Sequence, residues 1–82
     1  GPCWLTIRDA SWLRENMIVW DGSRGTPSVT IENSLAWKVA KPLDLFNARD
    51  STGKINVTIR GLGNSDGARL DDVETTIEGA AK

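Results

Sequence analysis

The chain of 82 residues contains no His and no Tyr, and only one Cys. Without His it lacks the most frequent metal ligand and the side chain that most often moves protons at neutral pH. A single Cys excludes an internal disulfide framework and a cluster of thiolate ligands. Since no nucleophile–base pair forms without His, we expect a protein that is not an enzyme and that uses no metal or cofactor.

Long apolar runs are also missing. The longest, Met17–Trp20, is far shorter than the ~20 residues of a membrane-spanning helix. The start has no basic region followed by an apolar stretch, so no signal peptide is predicted. We interpret Gly1-Pro2 as the scar of a removed tag, and residues 3–82 as a single small β-domain excised from a larger protein. The compartment of that parent protein is not predicted.

The charges nearly balance, but they are unevenly distributed. Ten Lys and Arg residues against eleven Asp and Glu residues give a net charge of −1. Residues 1–63 carry a net charge of +2, and residues 64–82 carry −3. Nucleic-acid binding depends on clustered Lys and Arg side chains that neutralise phosphates. A body with a charge of +2 therefore argues against a nucleic-acid partner.

A short phrase occurs four times in the chain. In each copy Thr and a charged residue alternate with Ile and, in three copies, with a second aliphatic residue, and a turn-forming residue follows. The copies are Leu5-Thr-Ile-Arg-Asp9, Val29-Thr-Ile-Glu-Asn33, Val57-Thr-Ile-Arg-Gly61 and Thr75-Thr-Ile-Glu-Gly79. This period of two predicts β-strands with one apolar face. Because the spacings are unequal, at 24, 28 and 18 residues, we interpret the phrase as a strand pattern and not as the repeat of a solenoid.

Further strand patterns lie between these phrases, at residues 16–20, 36–40 and 43–45, separated by turn signals such as Asp21-Gly22. We therefore predict an all-β fold, as a small antiparallel sandwich or a partly open barrel of six or seven short strands. Residues 16–20 and 28–32 are expected to form a hairpin. Residues 66–81 stay open between two interpretations, a C-terminal helix and a strand at 73–78.

Four of the five aromatic residues are Trp, at positions 4, 12, 20 and 37. Each Trp side chain can bury ~200 Å², so we expect two or three of them in the core. The alternation in the first phrase places Trp4, Thr6 and Arg8 on the face opposite Leu5 and Ile7. These three are the candidate partner-binding residues, because an exposed Trp beside an Arg is typical of protein interfaces.

One segment resembles a known family. Lys41-Pro42-Leu43-Asp44-Leu45, the turn Asn47–Gly53 and the strand Ile55–Gly61 resemble the two-strand segment of filamin-type immunoglobulin-like repeats. The resemblance covers residues 41–61, about a quarter of the chain. The family's Gly-Pro-Gly-Leu lead-in is absent, and Leu62 stands where Pro is usual. The resemblance implies a sandwich that binds peptides by adding them to an edge strand, and it assigns no functional residue.

These observations predict a non-catalytic protein–protein interaction or assembly module. Its partner would be another protein or a neighbouring domain of the parent chain, and no small-molecule ligand is expected. One alternative is a carbohydrate-binding module that uses exposed Trp faces. A second alternative is a small β-barrel that binds single-stranded nucleic acid by Trp stacking, against which the weak positive charge argues.

Overall fold

The computed structural model describes residues 3–81, so the interpretation of Gly1-Pro2 as a scar lies outside the described residues. Within that range the secondary structure consists of five strands and two short 3₁₀ helices, Pro42–Leu45 and Ala48–Asp50, without an α-helix. The strands are β1 (Trp4–Arg8), β2 (Asp21–Gly22), β3 (Ser28–Ala36), β4 (Thr52–Asn64) and β5 (Val73–Glu78). The all-β class is confirmed, with five strands in place of the predicted six or seven.

The antiparallel sandwich is wrong, because the sheet is a parallel half-barrel. Strand β3 lies between β1 and β4 and is parallel to both. The short β2 is parallel to the start of β4. Only β5 is antiparallel, and it pairs with β4 over residues 54–59. Period-two alternation indicates a strand but carries no information about the direction of its neighbour.

The first three phrases lie on adjacent strands, and each residue of one phrase, up to its turn-forming residue, pairs with the residue at the same position of the next phrase. Thr6 pairs with Thr30 and Thr30 with Thr58, while the Ile residues that follow them form the next row. Each circuit of the chain therefore adds one strand to the same column, as in a solenoid. The inference that unequal spacing excludes such stacking is wrong for these three phrases. Coils of 24 and 28 residues stack in one register.

The turn-forming residue after each phrase makes a corner that is repeated in the stack. Asp9, Asn33 and Gly61 follow paired residues, and their φ angles are 56°, 47° and 67°. Asp, Asn and Gly are the residues that adopt this left-handed conformation most readily. The Asn33 side-chain amide donates a hydrogen bond of 2.7 Å to Asp9 Oδ1. The three phrases thus turn in the same direction at the same place.

Beyond this corner the first two coils remain side by side. Leu13 forms a parallel bridge with Ala36, and Ile18 forms one with Phe46. The predicted hairpin of residues 16–20 with 28–32 is therefore wrong. The predicted strands at 16–20, 36–40 and 43–45 are also wrong. Residues 16–20 contribute only the bridge at Ile18, residues 37–41 contain bends, and residues 42–45 are a 3₁₀ helix that begins at Pro42.

The last part of the chain reverses direction and does not complete a third coil. A turn at residues 64–68 is closed by hydrogen bonds of the Asn64 amide to the Ala68 carbonyl and of the Gly67 amide to the Asn64 carbonyl. Strand β5 then runs antiparallel to β4 and pairs with the edge of β4 that faces away from β3. Residues 73–78 are thus a strand and the helix alternative is wrong. Its Thr-rich alternation and its partner β4 outweigh the helical spacing of the apolar residues.

The core is formed by the inward Ile and Val side chains of β3 and β4 and by apolar residues of the segments that connect the strands, such as Leu13, Leu45 and Phe46. Its most deeply buried members include the paired Ile31 and Ile59 together with Leu45 and Leu62, all fully buried. Of the four Trp residues only Trp20 is buried, at 7% exposed. The expectation of two or three Trp residues in the core is therefore wrong. The rest of the interior is filled mainly by aliphatic side chains, and Phe46 is the aromatic residue that packs beside Trp20.

We predict that Ile31→Ala lowers the free energy of unfolding by about 2–5 kcal/mol, because it leaves a cavity in the middle of the column. Thr30→Ala, on the outward face of the same strand, should cost less than about 1 kcal/mol. Chemical denaturation of both variants measures the difference. Equal losses would mean that Ile31 does not occupy the centre of the core.

Candidate functional site

The two sides of the strand column differ. Strand β4 is covered by the returning β5, whereas the described residues place no strand beyond β1. The Ser28 amide bonds to the Cys3 carbonyl, and the Asp9 amide bonds to the Glu32 carbonyl. In a parallel pair this means that the backbone groups of the odd-numbered residues of β1 face β3. The amides and carbonyls of Trp4, Thr6 and Arg8 therefore face away from the sheet, along its open edge.

The side chains of the three predicted partner-binding residues share the outward face of β1. Trp4 is 74% exposed, as its position in the alternation predicts, and Thr6 and Arg8 are also exposed. The Arg8 guanidinium lies 3.0 Å from Glu32 Oε1, and its side chain stays 64% exposed. The structure thus brings the three residues together on one face of an edge strand that pairs with β3 on its inner side only.

An apolar hollow lies beside the same strand. It has a volume of about 230 Å³, and Leu5 forms part of its wall together with Val19, Trp20 and Pro27. Leu5 is 49% exposed although its side chain points to the apolar side of the sheet. The equivalent Val29 and Val57 in the next two coils are buried. The apolar row thus ends at β1 without a covering layer.

The opposite edge of the sheet has a different character. The Gly79 amide bonds to the Gly53 carbonyl, so the even-numbered residues of β5 direct their backbone groups away from β4. Those residues are Glu74, Thr76 and Glu78. Two carboxylates on a six-residue edge discourage the addition of another strand. The β1 edge has no acidic residue.

A second exposed cluster lies outside β1, in the segments that follow β1 and β3. The rings of Trp12 and Trp37 meet edge to face, with centroids 5.4 Å apart and planes at 84°. Lys38 Nζ and the Arg14 guanidinium carbon lie 5.4 Å and 5.9 Å from the centre of the Trp37 ring. Such distances permit cation–π attraction. Trp12 and Trp37 are 46% and 37% exposed, so the cluster is open to solvent.

Backbone geometry holds this cluster in place. Trp12 and Lys38 have φ angles of 61° and 54°, a conformation that costs a bulky residue about 1–3 kcal/mol. Leu13, the residue after Trp12, is fixed on both sides of its backbone. Its amide donates a hydrogen bond to the Leu35 carbonyl, and its carbonyl accepts one from the Trp37 amide. The sequence reasoning missed this pair. Trp12 and Trp37 are 25 residues apart, close to one coil, so reading the phrases as stacked coils would have found it.

Residues 3–81 contain no group of three or more His, Cys, Asp and Glu side chains arranged to hold a metal ion. None of the helices described is long and apolar enough to cross a membrane. A wide groove of about 590 Å³ lies over the corner of Asp9 and Asn33. Those two side chains bond to each other, and Ser11 and Arg69 also line the groove.

The strongest electrostatic perturbation belongs to Asp21. Its carboxylate accepts hydrogen bonds from the Ser23 amide at 3.0 Å and the Thr52 hydroxyl at 2.9 Å. Hydrogen bonds from Ser23 and Thr52, with the charge of Arg24, lower the pKa of Asp21 from 3.8 to about 2. The carboxylate ties β2 to the start of β4. It is fully exposed, and we assign it a structural role.

Comparison of the chain with protein-family models, curated proteins and solved structures found no match. The open edge of β1 and the Trp12–Trp37 cluster are therefore the two surfaces that bear on function.

We predict that Asp21→Ala lowers the melting temperature at pH 7 and that the difference disappears in acid. The pKa of Asp21 in the folded protein lies below its ordinary value. The carboxylate therefore stabilises the fold above about pH 4 and loses this contribution as the pH falls towards about 2. Thermal unfolding of both proteins between pH 7 and pH 2 measures the effect. A constant difference down to pH 2, or a carboxyl titration near 3.8 by NMR, would contradict the assignment.

Proposed function

We propose that this protein is a non-catalytic interaction module that binds a protein partner by adding a strand to β1. The observation that carries the proposal is the unpaired edge of β1, where the amides and carbonyls of Trp4, Thr6 and Arg8 face away from the sheet. Exposed strand edges are templates for a further strand, and main-chain hydrogen bonds provide much of the affinity in such complexes.

The side chains around this edge support the same function. An added strand would extend the apolar row of Leu5 and Ile7 and close the hollow beside Trp20 and Pro27. Its outward face would meet Trp4 and Arg8, two residue types that dominate binding energy in protein interfaces. The pairing of Arg8 with Glu32 also lowers the electrostatic cost of placing a neutral strand beside it.

The proposal is tested with short extended peptides and isotope-labelled protein at low concentration. The probes are the protein's own phrases, Trp-Leu-Thr-Ile-Arg and Ser-Val-Thr-Ile-Glu, with blocked ends. We predict that amide shifts on titration concentrate at residues 4–8. Trp4→Ala should weaken binding about tenfold or more and change the free energy of unfolding by less than about 0.5 kcal/mol.

Trp12→Ala is the matched control, because it removes a half-exposed Trp that lies outside β1, and it should leave peptide binding unchanged. Binding that shifts amides elsewhere, or a complete absence of binding, would refute the proposal. If Trp4→Ala reduced thermal stability and binding by equal amounts, Trp4 would be a core residue and not a contact residue.

The Trp12–Trp37 cluster supports a second candidate function, the binding of carbohydrate. Aromatic faces stack against the apolar faces of sugar rings, and the side chains of Arg14 and Lys38 beside Trp37 favour sugars that carry carboxylate or sulfate groups. Hydrogen bonds of Leu13 to Leu35 and to Trp37 hold the two Trp-bearing segments together in spite of the strained backbone at Trp12. This surface lies outside β1, so the two functions can be tested separately.

We predict that, if the second function holds, acidic oligosaccharides shift the Trp fluorescence spectrum, and that Trp37→Ala abolishes the shift while Trp4→Ala retains it. A panel of neutral, carboxylated and sulfated glycans measures this. A panel without any response would refute the second function. A response to single-stranded oligonucleotides that falls steeply with salt would instead favour base stacking.

A further inference from the structure

We propose that the strand added to β1 is β1 of a second copy, in an antiparallel pair whose twofold axis passes beside Thr6. This proposal rests on the proposed function and names its partner. Closed dimers with twofold symmetry are the most common oligomers, and their interface must be complementary to itself. The sequence of β1 meets that condition in three respects.

The first respect is hydrogen bonding. The free backbone groups of β1 belong to Trp4, Thr6 and Arg8. A twofold axis beside Thr6 sets Thr6 opposite its own copy, and Trp4 opposite Arg8 of the second copy. These are the residues whose amides and carbonyls are free, so each pair can exchange two hydrogen bonds. A shift by one residue would place free groups opposite occupied ones.

The second respect is the apolar side. In this register Leu5 lies opposite Ile7 of the second copy, and Ile7 lies opposite Leu5 of the second copy. The apolar rows of the two molecules then become continuous across the axis. Leu5, now 49% exposed, gains the aliphatic neighbour that Val29 already has in Val57. In the dimer, β1 of each copy would also cover the apolar hollow beside β1 of the other copy.

The third respect is charge. Each Trp4 faces Arg8 of the other copy, a pair that allows cation–π attraction, and no like charges lie opposite each other. The competing arrangement joins β1 to the β5 edge of the next copy and produces an open chain of molecules. There Leu5 or Ile7 would lie opposite the exposed, polar Thr75.

The test is sedimentation equilibrium over a concentration series up to about 1 mM, because a pair of five-residue strands lies below the size of about 1,200 Å² typical of stable interfaces. A reducing agent keeps the exposed Cys3 from linking copies. We expect a reversible monomer–dimer equilibrium without larger species. Thr6→Pro, which removes an amide that no intramolecular bond uses, should raise the dissociation constant at least about tenfold.

Thr76→Pro is the matched control, since it removes an outward amide from the β5 edge, and it should leave the dimer unchanged. Charge at position 4 gives an independent readout. Trp4→Glu faces Arg8 of the second copy and should dimerise several-fold more tightly than Trp4→Lys. In the β1–β5 arrangement position 4 faces Thr76 or Glu78, so the order of the two variants would not be this one.

Several outcomes would overturn the self-pairing. A monomer throughout the series, a dimer that survives Thr6→Pro, or long chains that Thr76→Pro abolishes would each do so. The failure of self-pairing can be separated from the failure of the proposed function. If the strand peptides bind β1 but the protein remains a monomer, only the second copy is refuted as the partner. If neither the peptides nor a second copy bind β1, the proposed function fails as well.

Discussion

The parallel pairing of Thr-Ile phrases in one register is the constraint on which the rest of the structure depends. It places Ile31 over Ile59 and Thr30 over Thr58, so each strand buries its apolar side chains against identical or similar neighbours. It also sets Arg8, Glu32 and Arg60 in one outward row with alternating charge, which stabilises neighbouring strands by about 0.2–1 kcal/mol per pair. The left-handed residues Asp9, Asn33 and Gly61, which come directly after the paired phrases, are aligned in the same way.

The column of strands has two edges, and they differ in whether a further strand covers them. At one end β5 turns back across β4 and presents Glu74 and Glu78 to solvent. At the other end β1 leaves its backbone groups and its apolar row uncovered. Two of the five acidic residues of residues 64–82, Glu74 and Glu78, thus lie on the strand that covers one end. The same asymmetry makes β1 the site of both proposals.

The sequence was sufficient to predict the strand class and the outward face of β1. Alternation in the first phrase separated Trp4 from Leu5 and Ile7, because side-chain direction in a strand depends only on position. It could not supply the direction of pairing, because parallel and antiparallel neighbours require the same alternation. The four extra residues of the second coil, accommodated around Pro42–Leu45 and Ala48–Asp50, hid the repeat.

The Trp residues show a second limit of sequence reasoning. Their large apolar area predicted burial, yet the interior is filled mainly by Ile, Val and Leu side chains, with Trp20 and Phe46 as its aromatic members. Trp12 and Trp37 therefore pack against each other outside the core, joined by the stacking of coils that the spacing concealed. Trp20 alone enters the interior, where its indole amine donates to the Gly53 carbonyl at 3.0 Å.

The register of the column is tested most directly by nuclear Overhauser contacts between backbone protons in the folded chain. The account predicts contacts that link residue 6 to 30 and 30 to 58 and that advance together along both strands, as parallel pairing requires. Contacts that run in opposite directions between β1 and β3, or a direct pairing of residues 16–20 with 28–32, would contradict it. They would also remove the open edge on which the proposed function depends.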